Sequence, residues 1–362
     1  MKRVTILIMV VSLFLCSLLY YMPGIQSRLQ YLFFEGNQNY KTRAELMAVL
    51  SGLEYLNYSN EEVFANESTI VLKPEEGHEL AIRLTDAISA DGVIINTDTT
   101  TRMVEVIIKG SGKSYFAKQP ITGSTEKMEA LDFVEIDGDS GITIKLDSVY
   151  ETIAKSDDNY LYIDFVRPKD IYDKVVVIDA GHGAEMAGAV KDGVCEKTID
   201  LEIVLKLKEL FDNSEYESLK VYYTRLDDTN PEFADRVMLA NGSDADLFVS
   251  IHNNSYVKDR NQRGTTVLYD EKEAADTGYG ITSLKLANIL CDKVSAGFGS
   301  KNRGVVRGND IYVIRNTECP AALIEVGFMT NKEDLAALCD EETQTRVAQG
   351  IYEGIIEALG LE

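Results

Sequence analysis

Two rhythms of apolar and polar positions divide the chain. From residue 174 onward, apolar or β-branched clusters at 175–178, 219–224, 247–251, 265–269 and 321–326 predict strands. They alternate with stretches at 198–211, 233–241, 281–297 and 342–359, whose apolar residues recur at helical spacing. Strand and helix in alternation predict an α/β domain over 174–362, with a mostly parallel sheet and helices on both faces. Residues 68–168 instead show short period-two runs such as Ile142-Thr143-Ile144-Lys145-Leu146, separated by Gly- and Asp-containing turns. That pattern predicts a small all-β domain.

The N-terminal pattern differs again. Lys2 and Arg3 precede an uncharged apolar run at 4–22, long enough to span a bilayer. With the positive charges on the N-terminal side, the remainder of the chain is expected outside the cytoplasm. Residues 1–27 therefore read as a signal anchor or signal peptide, and the lack of a small-x-small cleavage site favours a retained membrane segment. Residues 28–67 read as a membrane-proximal helix at 41–56 followed by a polar linker.

Composition narrows the function classes. A formal charge of -23 lacks the clustered Lys and Arg that phosphate backbones require, so no nucleic-acid partner is expected. Cys195, Cys291, Cys319 and Cys339 are too widely spaced for a zinc ribbon or a disulfide framework and are expected to pack as small hydrophobes. His78, close to Glu76 and Glu79 in a predicted turn, reads as a solvated side chain.

The other two histidines, His182 and His252, each follow a predicted parallel strand. Open α/β sheets bind ligands outside the carboxyl ends of their strands, so two imidazoles there can converge. Catalytic zinc commonly takes two histidines and a glutamate. Glu196 suits the third position, because Ile199, Ile203, Leu207 and Phe211 place it on the inward stripe of its helix. Glu185 and Glu202 fit less well, and a simple helix-terminal charge is the competing reading of Glu196. Glu325 interrupts the apolar run 321–328, where a lone charge is costly. It reads either as a proton carrier or as a structural partner of Arg225 or Arg236.

Five strings occur in order over 175–331: VVVIDAGHG, EKTIDLEIVLKLKELF, TRLDD, SIHNNS and ALIEVGFMTN. Together they resemble the zinc-dependent N-acetylmuramoyl-L-alanine amidases of bacteria, of the amidase family 3 type. The resemblance implies one Zn2+ held by His182, Glu196 and His252, with Glu325 as catalytic acid/base. It implies peptidoglycan as substrate, cut between N-acetylmuramic acid and L-alanine. Asn254 and Arg236 also match family positions and are expected to support the site or the substrate. The β-rich segment stands where some relatives carry an AMIN-type targeting module. No covering helical plug is expected between Asn253 and Gly280. The alternatives are another zinc-dependent wall hydrolase, a peptidase or deacetylase, and a non-catalytic wall-binding protein with a vestigial site.

Overall fold

The computed structural model describes residues 78–123, 125–270 and 280–361. The predicted anchor over 4–22 and the helix over 41–56 lie outside the described residues. Among the described residues no helix is long and apolar enough to cross a membrane.

The first unit consists of β1 (Leu80–Arg83), β2 (Val93–Asp98), β3 (Met103–Ile108), the short α1 (Tyr115–Lys118), β4 (Thr122–Gly123), β5 (Met128–Ile136), β6 (Asp139–Leu146), β7 (Glu151–Ser156) and β8 (Tyr160–Val166). They form two four-stranded antiparallel sheets, ordered β4-β1-β8-β7 and β2-β3-β6-β5. Period-two alternation sends Ile142, Ile144 and Leu146 of β6 and Leu161, Ile163 and Phe165 of β8 into a shared core. His78 is not free in solvent as its sequence surroundings imply. Its Nδ1 lies 2.8 Å from Asp164 Oδ2, and its ring stacks on Tyr162.

The second unit begins with β9 (Lys174–Ala180), a small hairpin of β10 (Val190–Lys191) and β11 (Val194–Cys195), α2 (Glu196–Asp212), β12 (Leu219–Tyr223), α3 (Phe233–Gly242) and β13 (Leu247–Asn254). It continues with β14 (Thr265–Tyr269), α4 (Ser283–Phe298), β15 (Asn302–Arg307), α5 (Tyr312–Asn316), β16 (Ala321–Phe328), α6 (Lys332–Leu338) and α7 (Glu341–Leu359). The six-stranded sheet runs β12-β9-β13-β16-β14-β15. Four strands are parallel, and β14 reverses against β16 while running parallel to β15.

Both faces of the central strands are apolar because both are covered. Val176, Ile178, Val249, Ile251, Ile324 and Val326 meet α2, α4 and α7 on one face. Val175, Val177, Phe248, Ala321 and Leu323 meet α3 and α5 on the other. Val149 of the β-rich unit is buried in that second core, and Ser148 Oγ donates to Gly242 O at 3.0 Å. Lys220 pairs with Glu151 at 2.9 Å, and the Tyr222 hydroxyl donates to the same carboxylate. The β-rich unit thus leans on the outer strand β12.

Cys291 and Cys319 are buried, but Cys339 is exposed and Cys195, half-buried, caps α2. Small-hydrophobe packing therefore describes two of these four. Cys339 ends up outside because it caps the last turn of α6, between that helix and α7.

Candidate metal centre

β9 and β13 run parallel and adjacent, so the residues that follow them emerge at one edge of the sheet. His182 lies just past the end of β9 with φ 59°, a left-handed conformation uncommon for a residue with a side chain. Buried arginines hold it there. Arg236 of α3 donates from Nη2 to His182 O at 2.8 Å and from Nη1 to Ala180 O at 2.7 Å. Arg225 donates from Nη2 to Gly181 O at 2.7 Å and from Nε to Ala180 O at 3.0 Å. Glycine is required at two close approaches. A Cβ on Gly181 would sit 2.4 Å from the His252 ring, and one on Gly188 would sit 2.5 Å from Glu196 Oε2.

Glu196 opens α2 and is almost sealed from solvent. Its Oε1 lies 3.1 Å from His182 Nε2 and 3.0 Å from His252 Nδ1. Backbone N–H groups complete the setting: Asn253 donates to Oε1 at 3.1 Å and Ala189 to Oε2 at 2.7 Å. Burial pushes the Glu196 carboxyl up, yet hydrogen bonds and charge from the two imidazoles hold it well below the usual carboxylate range. Donor atoms of His182, Glu196, Asp200 and His252 all lie within 4.8 Å of one another, a group able to hold a metal ion.

Glu325 lies on β16, in register beside His252 on β13. By alternation both side chains leave the sheet on the α3 and α5 face. The residue keeps some exposure, but its Oε2 is sealed from solvent and has no hydrogen-bond partner. Burial, and then the Glu196 charge, push its carboxyl up to about 8. It pairs with neither arginine considered from the sequence. Arg236 is instead sealed in the core, bonded to Asp179 Oδ1 at 2.6 Å as well as to the loop carbonyls. From there it supports the His182 loop. Asn254 ends β13 half-buried, and its carbonyl accepts from Met329 N–H at 2.8 Å. Glu202 accepts from Gln344 and Glu185 from Asn230, so both are engaged away from the cluster.

Sequence reading passed over Asp179, Asp200, Asn253 and the clamping role of Arg225. Asp179 is buried beneath the site and accepts from Arg236, Thr224 Oγ1 at 2.7 Å and Ser250 Oγ at 2.6 Å. Asp200 is fully buried one turn after Glu196 and accepts from Asn253 Nδ2 at 2.7 Å. A second carboxylate at i+4 on the inward stripe of α2 was the available signal. Asp200 Oδ2 and Asn253 Oδ1 both lack partners. Burial, with Glu196 adding to it, pushes the Asp200 carboxyl well above its usual range.

A carboxyl raised on folding binds its proton more tightly in the native state, so stability is lost as pH rises above the unfolded value. Asp200→Asn keeps an N–H donor without a titrating proton. In the metal-free protein it should lessen the loss of stability as pH rises above the ordinary aspartate range, read from urea midpoints across a pH series. A drop in metal affinity in this variant would make Asp200 a ligand instead.

The profile of the N-acetylmuramoyl-L-alanine amidase family matches residues 176–357. The chain is 37% identical over 189 residues to an endolysin of Bacillus phage SPP1, spanning 52% of this chain and 67% of the phage protein. It is 30% identical over 197 residues to the germination-specific N-acetylmuramoyl-L-alanine amidase of Bacillus subtilis, spanning 51% and 78%. A solved structure, the catalytic domain of CwlV, an N-acetylmuramoyl-L-alanine amidase of Bacillus (Paenibacillus) polymyxa var. colistinus, shares 40% identity. It aligns over 52% of this chain and 99% of that one, with a TM-score of 0.48. The chain belongs to the N-acetylmuramoyl-L-alanine amidase family, whose reaction is hydrolysis of the amide joining the muramoyl sugar of peptidoglycan to L-alanine.

Proposed function

We propose that the protein is a zinc-dependent N-acetylmuramoyl-L-alanine amidase of the cell envelope, with His182, Glu196 and His252 as metal ligands and Glu325 as acid/base. The observation that carries this reading is the meeting of two imidazole nitrogens on one carboxylate oxygen at the strand ends, with Glu325 in register beside them. Two nitrogens and one carboxylate oxygen form a donor set that suits zinc with an open position. The partnerless Oε2 of Glu325 fits a group that handles protons.

When bound, zinc would polarise the scissile carbonyl and acidify the attacking water. Glu325 accepts a proton as the water oxygen bonds to the lactyl carbonyl carbon. It then passes that proton to the alanine nitrogen as the C–N bond breaks. Atoms balance: the sugar keeps a lactyl carboxylate and the peptide gains a free amine. Asp179 and Arg236 hold the His182 backbone in place throughout.

The test is chelation and metal restoration on the full chain, with product analysis on purified peptidoglycan. We expect one zinc per chain, loss of activity on chelation, and new amino termini at L-alanine. New termini within the stem peptide would make it a peptidase, and released acetate a deacetylase. The β-rich unit is proposed as a wall-targeting module on its strand content and position, and residues 4–22 as the membrane tether.

A further inference from the structure

Phe233 and Tyr312 are both exposed aromatic side chains, at 60% and 40% exposure. Their ring centroids lie 6.0 Å apart and their planes meet at 33°. Neither ring belongs to a core cluster, although the helices that carry them contribute Val237, Val313 and Ile314 to one. Two adjacent aromatic rings open to water offer an apolar surface that a ligand can cover.

Their position says what they bind. Phe233 opens α3, and one turn later Arg236 of the same helix reaches the carbonyls of Ala180 and His182. The start of α3 therefore stands at the strand-end edge that bears the candidate centre. His252 and Glu325 continue the alternation of Phe248 and of Ala321 and Leu323, so they point to the face that α3 and α5 cover. The ring pair thus belongs to the helices on the face from which, by alternation, these two side chains leave the sheet.

We propose that Phe233 and Tyr312 form the platform for the glycan strand of the substrate. This rests on the amidase reading, since only a substrate joining sugar to peptide must leave the centre in two chemically different directions. A pyranose ring presents a face of C–H groups bordered by hydroxyls. Aromatic faces carry partial negative charge and match that C–H face while the hydroxyls stay in water. The loop 255–264 that follows β13 carries Lys258 and Arg260, while its Arg263 is paired with Glu333. Lys258 and Arg260 suit stem-peptide carboxylates, whereas exposed Glu232 beside Phe233 and Asp310 near Tyr312 disfavour carboxylates at the rings, which leaves the aromatic pair for sugar.

The test uses the full chain carrying Phe233→Ala and Tyr312→Ala together. In a Glu325→Gln background, sedimentation with peptide-stripped glycan strands should show affinity falling about tenfold. In the active, zinc-loaded chain, KM on intact peptidoglycan should rise by a similar factor, more than on a muramoyl-L-alanyl peptide without neighbouring sugars. Phe233→Trp with Tyr312→Phe should restore both readouts. Unchanged glycan affinity, or equal losses on the two substrates, overturns the platform while leaving the amidase reading intact. If the unsubstituted chain cuts neither substrate, the amidase reading fails, and the sedimentation result still reports on the platform.

Discussion

Replacing Glu325 with glutamine should lower turnover on peptidoglycan by about 10²–10⁴-fold while the zinc content of the chain stays unchanged. Glutamine keeps the shape and can still donate a hydrogen bond, but it cannot accept a proton from water or return one to the alanine nitrogen. Stoichiometric metal analysis beside a dye-release or product assay separates this from loss of the ion, which His182→Ala or His252→Ala should cause. The same substitution has a second signature in the metal-free protein. The Glu325 carboxyl is raised from 4.5 to about 8, chiefly by burial, so the folded state holds a proton that the unfolded state releases. Native stability should fall as pH climbs from 4.5 to 8, and Glu325→Gln should flatten that decline. Full activity in this variant would contradict the proton-carrying role, and an unchanged slope would contradict the raised carboxyl.

Arg236→Leu should destabilise the protein by about 3–5 kcal/mol, because it strips a buried carboxylate of its charged partner. Asp179 would keep only the hydroxyls of Thr224 and Ser250, and the carbonyls of Pro231 and His182 would lose their guanidinium donor, while Ala180 would keep Arg225 alone. Urea unfolding of the metal-free chain measures the loss, and zinc affinity should fall with it as the left-handed turn at His182 relaxes. Glu325→Gln serves as the control, since it removes no partner from this network. A stability change under ~1 kcal/mol would show that the cluster can repack without its guanidinium.

The fold was legible where burial leaves a strong periodic trace. The central strands are apolar on both faces, and the long helices carry an unbroken inward stripe, so each shows in the sequence within a few residues of its observed bounds. β15 escaped notice because Asn302-Arg303-Gly304-Val305-Val306-Arg307 is an edge strand with mostly exposed positions. Helices α5 and α6 are too short for a periodic pattern to stand out. The reversal of β14 could not be foreseen either, since a strand has the same alternation whichever way it runs.

The same distinction applies at the centre. His182, Glu196, His252 and Glu325 were visible because polar groups are conspicuous at strand ends and on apolar stripes. The network that orients them was not. Asp179 sits in an apolar strand, Arg225 among exposed charges, and Asn253 beside a histidine that draws the eye first. Their importance lies in contacts across 28 to 71 residues of sequence, which no local pattern records.

The seam between the two units bears on how the enzyme can be handled. Val149 is buried in the same core cluster as Val175, Tyr222 and Phe248, and Thr100 Oγ1 donates to Thr224 O at 3.3 Å. Trimming the gene to the hydrolase half would remove that plug, leave Glu151 missing from Lys220 and Tyr222, and lay bare the flank of an outermost strand. Unshielded flanks of this kind recruit other chains. Truncated preparations should clump during purification, whereas those retaining residues from 78 onward should remain dispersed.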